Sequence, residues 1–249
     1  MYPNPADVLP FPARPSLEQY KKRAKALVKA CTSGGRDAIR TWAADWLASL
    51  ASALTTSDGD RGVWVDQRVN QIEAFAWKKL CAPDRRTDSC TLADAQFVIA
   101  RVHGFQSWPQ FATHINALTR ATSPFSQFES AVQAVITGDV ATLKRLLHAN
   151  PALIRERSPR DHQATLLQYV AANGVEGFRQ KTPTNVVDIA KLLLDAGADV
   201  DAPNWPDGPA GPGTALGEVA TSVHPARAGA TRPSNKSVRP RFPSGLSKT

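Results

Sequence analysis

The sequence predicts an all-α protein in two parts: a helical domain over residues 16–120 and a stack of short helix–loop–helix units over 121–223. A proline-rich arm (1–15) precedes them and a basic tail (224–249) follows. Three observations carry this reading. Apolar residues recur at three- and four-residue spacing in successive segments, the period of a helix with one buried face. Capping residues and glycine stops punctuate those segments at helix length. The helix expected over 186–196 is apolar nearly all round, with Ile189, Leu192, Leu193 and Ala196 on one face and Val186, Ala190 and Leu194 widening it. A helix pair that apolar cannot stand alone in water and needs layers stacked against it, which marks a repeat architecture.

The arm holds Pro3, Pro5, Pro10, Pro12 and Pro15, so it is expected to be extended or disordered. Ser16 and Gln19 then have capping-box spacing and open a helix whose stripe is Leu17, Tyr20, Ala24, Leu27, Val28 and Cys31. Lys21, Lys22, Arg23, Lys25 and Lys29 form its opposite face. After Gly34-Gly35, Ile39, Trp42, Ala43, Trp46, Leu47, Leu50 and Leu54 repeat at helical spacing, which makes the tryptophans core residues and not base-stacking ones. A turn is expected at 57–60, a third helix over 63–80 with Val65, Val69, Ile72, Ala76 and Leu80 inward, and a loop over 81–90. Thr91 caps the next helix, which stops at His103-Gly104. Ser107-Trp108-Pro109 starts another, with proline tolerated in its first turn.

A linker is expected over 119–127. A first, degenerate unit follows, with an inner helix over 128–136, a stop at Thr137-Gly138 and an outer helix over 140–148 that buries Leu143, Leu146 and Leu147. In the second unit, Thr165 opens a helix that Asn173-Gly174 stops, and Ala196-Gly197 stops its partner. Comparing the units locates an insertion of roughly eleven residues, 175–185, expected to project between the two helices. A third unit begins at Gly213-Thr214-Ala215-Leu216 after a long exit loop, and no second helix follows it. The tail is rich in Ala, Arg, Ser, Pro and Lys and is expected to be disordered, as if the chain were cut short or read out of frame near Ala228.

Thr165-Leu166-Leu167-Gln168-Tyr169-Val170-Ala171-Ala172-Asn173-Gly174 resembles the ankyrin motif T-P-L-H-x-A-A-x-x-G, and Leu192-Leu193-Leu194-Asp195-Ala196-Gly197-Ala198-Asp199-Val200-Asp201 resembles its L-L-L-x-x-G-A-D-V-N ending. Gln168 fills the histidine slot and can still hydrogen-bond a neighbouring loop. The stretch LADAQFVIARVHGFQSWPQFATHI is similar to a helical segment that precedes ankyrin repeats in bacterial proteins. The resemblance implies an ankyrin-repeat stack in a bacterial protein that recognises other proteins. On that reading Arg160, His162, Gln163, Asn173, Arg179, Lys181 and Trp205 are the candidate partner-binding residues, presented by loops and inner helices to an unidentified protein.

Charge is unevenly spread. Residues 1–120 carry 16 Lys and Arg against 11 Asp and Glu, residues 121–203 carry 8 against 9, and the remainder 6 against 2. The basic flanks therefore make nucleic-acid association, through the lysine face and the tail, the alternative function. The five histidines lack metal-ligand spacing, so no metal is expected. Glycine-rich phosphate loops and G-x-S-x-G elbows are missing, so neither a cofactor nor catalysis is expected. Asp161-His162 could orient an acid–base pair, although a loop or interface role suits it better. No secretory signal opens the chain, no stretch reaches the roughly 20 apolar residues of a membrane span, and the three cysteines suit reduced thiols in a cytoplasm.

Overall fold

The computed structural model describes residues 3–51, 58–81, 90–120, 122–205 and 213–224. Among these residues there are nine α-helices and no strand; Asn204 and Gly213 form an isolated antiparallel bridge. The periodicity read from the sequence is thus realised as an all-helical fold.

The first core is built by four helices. Helix α1 (Leu17–Ala51) is broken at Gly35, whose φ of 63° and ψ of −144° suit glycine alone, so the two helices expected either side of Gly34-Gly35 are both present. Its halves bury the expected stripes, Tyr20, Ala24 and Leu27 in the first and Ile39, Trp42, Ala43, Trp46, Leu47 and Leu50 in the second. Helix α2 (Asp58–Leu80) starts ahead of its expected beginning and absorbs part of the expected turn. Val69, Ile72, Ala76 and Leu80 face inward as expected, while Val65 is only half-buried. Helices α3 (Leu92–Val102) and α4 (Trp108–Leu118) begin where Thr91 and Ser107 accept hydrogen bonds from Asp94 N and Gln110 N. Most of the expected 81–90 loop lies outside the described residues.

The second core joins α5 (Pro124–Thr137), α6 (Val140–Ala149), α7 (Leu166–Ala171), α8 (Val186–Asp195) and α9 (Ala215–Thr221). Helices α5 and α6 form one pair, α7 and α8 a second, and α7 is layered between α5 and α9. Gln168 makes the cross-loop contact expected of it: its Nε2 donates to the Ala202 carbonyl at 3.0 Å, while its Oε1 accepts from Thr165 N at 2.7 Å and caps α7. The Thr165 hydroxyl donates to that same oxygen at 3.4 Å, and Thr165 and Gln168 together form a capping box.

Three expectations about the connections are corrected. The linker is short, because Ser123 caps α5 and Pro124 occupies its first position, where a missing N–H costs nothing. Helix α5 also packs directly on α4, so the first unit meets the preceding domain and not water. The arm is not free either. Pro5–Asp7 is a 3-10 turn, Val8 and Leu9 are buried, Leu9 N donates to Val102 O at 2.9 Å, and Asp7 pairs with Arg68. Burying two aliphatic side chains, each contributing about 1.5–3 kcal/mol, outweighs the proline-imposed extension that the sequence emphasises. Finally, the 175–185 insertion does not project. Val175 and Glu176 are fully buried, and Gly177–Arg179 forms a 3-10 turn against the arm. The insertion fills the seam between the two parts. The basic tail lies outside the described residues.

Candidate functional site

The seam takes in three of the seven candidate partner-binding residues, Arg160, His162 and Arg179. Arg160 enters the first domain from the loop before α7 and is only 1% exposed. Its Nη1 donates to His103 O at 2.9 Å, and its guanidinium carbon lies 4.7 Å from the Phe11 ring centroid and 5.8 Å from that of Phe105. Next to it, Asp161 N donates to Gly104 O at 2.8 Å, and Arg101 Nη1 donates to Asp161 Oδ2 at 2.5 Å. The loop is therefore pinned to the end of α3 by backbone and side chain together.

Glu176, from the insertion, neutralises this intrusion. One of its oxygens lies 2.8 Å from Arg160 Nε, 3.2 Å from Arg179 Nη1 and 3.5 Å from His162 Nε2. Arg179 also pairs with Glu129 of α5, and Glu129 lies 3.7 Å from His114 Nε2 of α4. Two guanidinium groups and two carboxylates thus close a buried, charge-balanced set across the seam. Isolated, any one of these charges would carry a desolvation penalty of several kcal/mol.

The electrostatics follow from that arrangement. Burial pushes the Glu176 carboxyl up, but Arg179 and Arg160 more than offset it and hold it well below the ordinary range. Glu129 is likewise lowered, burial being overcome by Arg179 and Arg160. The two carboxylates raise Arg179 against its own burial. Burial and Arg160 push His103 down to about 3, and burial pushes His114 down to about 4 in spite of Glu129. Both rings are neutral packing groups, and His103 Nδ1 lies 3.2 Å from Leu9 O, where it donates.

The sequence-selected residues therefore do not form one exposed surface. Arg160, His162 and Arg179 are buried in the seam. Gln163 is half-buried, and its carbonyl accepts from Arg157 Nη1 at 3.0 Å. Asn173 Nδ2 donates to Thr221 Oγ1 at 2.9 Å, tying α7 to α9. Trp205 is half-buried and lines, with Pro3, Pro5 and Val8, a crevice of about 10 Å³. Lys181 alone of the set is exposed. The physical reason is that the arm and the insertion cover the loops that an isolated stack would leave open. Asp161 and His162 do not orient one another, since Asp161 pairs with Arg101 and His162 faces Glu176. Their role is in the interface. Sequence reading missed Glu129, Glu176, Val8, Leu9 and Phe11. The available signals were the apolar Val8-Leu9 and Phe11 among the prolines, and Glu176 three positions before Arg179.

Grooves also lie elsewhere among the described residues. One, of about 900 Å³, runs between α2 and α3 and is lined by Phe75, Phe97, Lys78, Lys79, Arg101 and others. Another, of about 660 Å³, lies along α1 beside the exposed Lys21, Lys22, Lys25 and Lys29 and includes Arg23 set over Trp46. Among the described residues no three His, Cys, Asp or Glu side chains are grouped to hold a metal ion, and no helix is long and apolar enough to cross a membrane.

The most unusual exposure is at the far end of the stack. Seven large hydrophobic residues are exposed among the described residues, and five of them, Val187, Leu194, Val200, Leu216 and Val223, belong to α8, α9 and their flanks. The outer helix of the preceding pair differs. Helix α6 buries Leu147 and turns Lys144, Arg145 and His148 to water, whereas α8 leaves Val187 and Leu194 exposed alongside Asp188, Lys191 and Asp195. Around these apolar residues Asp188, Asp195, Asp199 and Asp201 are all exposed.

No family model matches this chain, and neither a curated protein nor a solved structure gives a significant match.

Proposed function

We propose that this protein is a non-catalytic interaction scaffold of the bacterial cytoplasm, an ankyrin-like stack that binds a partner protein on α8, α9 and their flanks. The single observation that carries the reading is the concentration of exposed apolar residues on α8, α9 and their flanks, where Leu216 is 76% and Val223 53% exposed. A concentration of exposed large apolar residues in neighbouring elements is what a protein-binding surface presents. Four aspartates against Lys191 leave the rim net acidic, which suits a partner helix or loop with an apolar stripe and basic flanks. The partner-binding role moves from Arg160, His162 and Arg179, which are inside, to Val187, Leu194 and Leu216.

The test is affinity capture from the native host with the parent chain and with a Leu194→Asp, Leu216→Asp variant. Unfolding midpoints of the two chains must first agree. A discrete protein held by the parent and lost by the variant supports the reading. Equal recovery by both, or recovery of nucleic acid alone, overturns it and turns attention to the lysine face of α1.

A further inference from the structure

We propose that Cys31 and Cys81 form a reversible disulfide that fastens the first half of α1 to the end of α2. Their Sγ atoms lie 2.7 Å apart, about 0.7 Å more than the S–S bond of a disulfide, about 2.0 Å. The two positions are 50 residues apart in sequence and belong to different helices, so this approach is a product of the tertiary fold and not of local spacing. Both side chains pack against the first core, and both are only partly buried, so a small thiol reagent can reach them. They belong to no group of three or more His, Cys, Asp or Glu side chains that could hold a metal ion among the described residues.

The bond would restrain a defined segment. Gly35 breaks α1 four positions after Cys31. Beyond the break, Arg36 pairs with Glu73 and Arg40 bonds to Asn70, which ties the second half of α1 to α2. Before the break, the Cys31–Cys81 approach is the corresponding tie, and it becomes covalent only on oxidation.

The oxidant is a small-molecule disulfide such as oxidised glutathione. The thiolate of one cysteine attacks a sulfur of that disulfide, breaking its S–S bond and releasing one glutathione thiolate, which takes up the proton the cysteine lost. The second cysteine, as thiolate, attacks the mixed disulfide at the protein sulfur. The Cys31–Cys81 bond forms, the second glutathione leaves, and it too takes up a proton. Two cysteine thiols are oxidised and one glutathione disulfide is reduced. Excess reduced glutathione reverses the sequence.

The full chain is equilibrated in glutathione buffers of rising oxidised fraction, alkylated, digested with trypsin and analysed by mass spectrometry. Cleavage at Arg85 and Arg86 separates Cys81 from Cys90, so the three pairings give different peptides. The expected product is a Cys31–Cys81 peptide that appears as the buffer becomes oxidising and disappears on reduction. The oxidised chain should melt about 10 °C higher than the reduced chain, because the bond closes a long loop in the unfolded state. Cys90→Ala should keep that shift and Cys81→Ala should abolish it. A bond through Cys90, all three cysteines alkylated in the most oxidising buffer, or equal melting of the oxidised and reduced chains would each overturn the proposal. Peptide mapping of the unmodified sequence decides the matter even where a variant fails to fold.

Discussion

Arg160 and Glu176 meet at 2.8 Å with neither side chain exposed to solvent, and they come from opposite sides of the second helix pair's first helix, one before α7 and one after it. The contact, to Glu176 Oε1, is ionic and lies off the hydrogen-bond line, since Arg160 Nε has no hydrogen-bond partner among the described residues. The pair brings a loop, an insertion and the first domain to one point. This ties the stack to the helical domain through buried charge.

Removing Glu176 should therefore be the most damaging change in the seam. Glu176→Ala leaves Arg160 and Arg179 buried against one carboxylate, and unpaired buried charge costs about 3–5 kcal/mol. Arg160→Met should cost less, because Glu176 retains Arg179 at 3.2 Å. Urea unfolding followed by circular dichroism checks the order. A larger loss for Arg160→Met would mean that Arg160's aromatic packing, and not the ion set, holds the seam.

Acid should unfold the protein in two overlapping ranges. His103 and His114 have folded-state values of about 3 and about 4, below the ordinary 6.5, so the unfolded chain binds protons that the folded chain refuses. Their contribution is fully present above 6.5 and declines as pH falls towards 4 and 3, by up to about 1.4 kcal/mol per pH unit for each ring. Glu129 and Glu176 are lowered from 4.5, so their contribution is present above 4.5 and is lost below it. Unfolding free energies measured from pH 8 to pH 4 should be level at first and then fall. His114→Gln should make the fall shallower between 6.5 and 4.

The docked arm depends on one glycine. A Cβ at Gly177 would come 2.5 Å from the Ala6 carbonyl oxygen, which belongs to backbone and cannot rotate away. Gly177→Ala should cost about 1–3 kcal/mol and speed hydrogen exchange at Leu9 N, whose bond to Val102 O reports docking. Gly62→Ala is the control. Its Cβ meets nothing within 4 Å inside α2, and it should stabilise by about 1 kcal/mol.

Gln168 links layers. Gln168→Leu leaves Thr165 N and the Ala202 carbonyl without their side-chain partner and should cost about 1–3 kcal/mol. Gln168→His should cost less if imidazole can serve the same loop. Thermal unfolding of the two variants distinguishes them.

The sequence by itself determined the helices and their inward faces. Leu27, Trp46, Ile72, Leu143 and Ile189 are all buried, because a 3.6-residue period is a local property that any window of the chain carries. It also determined the stop at Gly138 and the caps at Thr91 and Ser107, where one residue acts on its own neighbours. Only the tertiary structure decided what the polar loop residues do. Arg160, His162 and Arg179 look like exposed contacts when the second helix pair is considered alone. They are interior because Glu176, Glu129 and the Val8–Phe11 stretch arrive from far along the chain to cover and neutralise them. Cys31 and Cys81 met in the same way. Helical period is written within a few residues, whereas burial of a charge depends on which distant groups share its cavity.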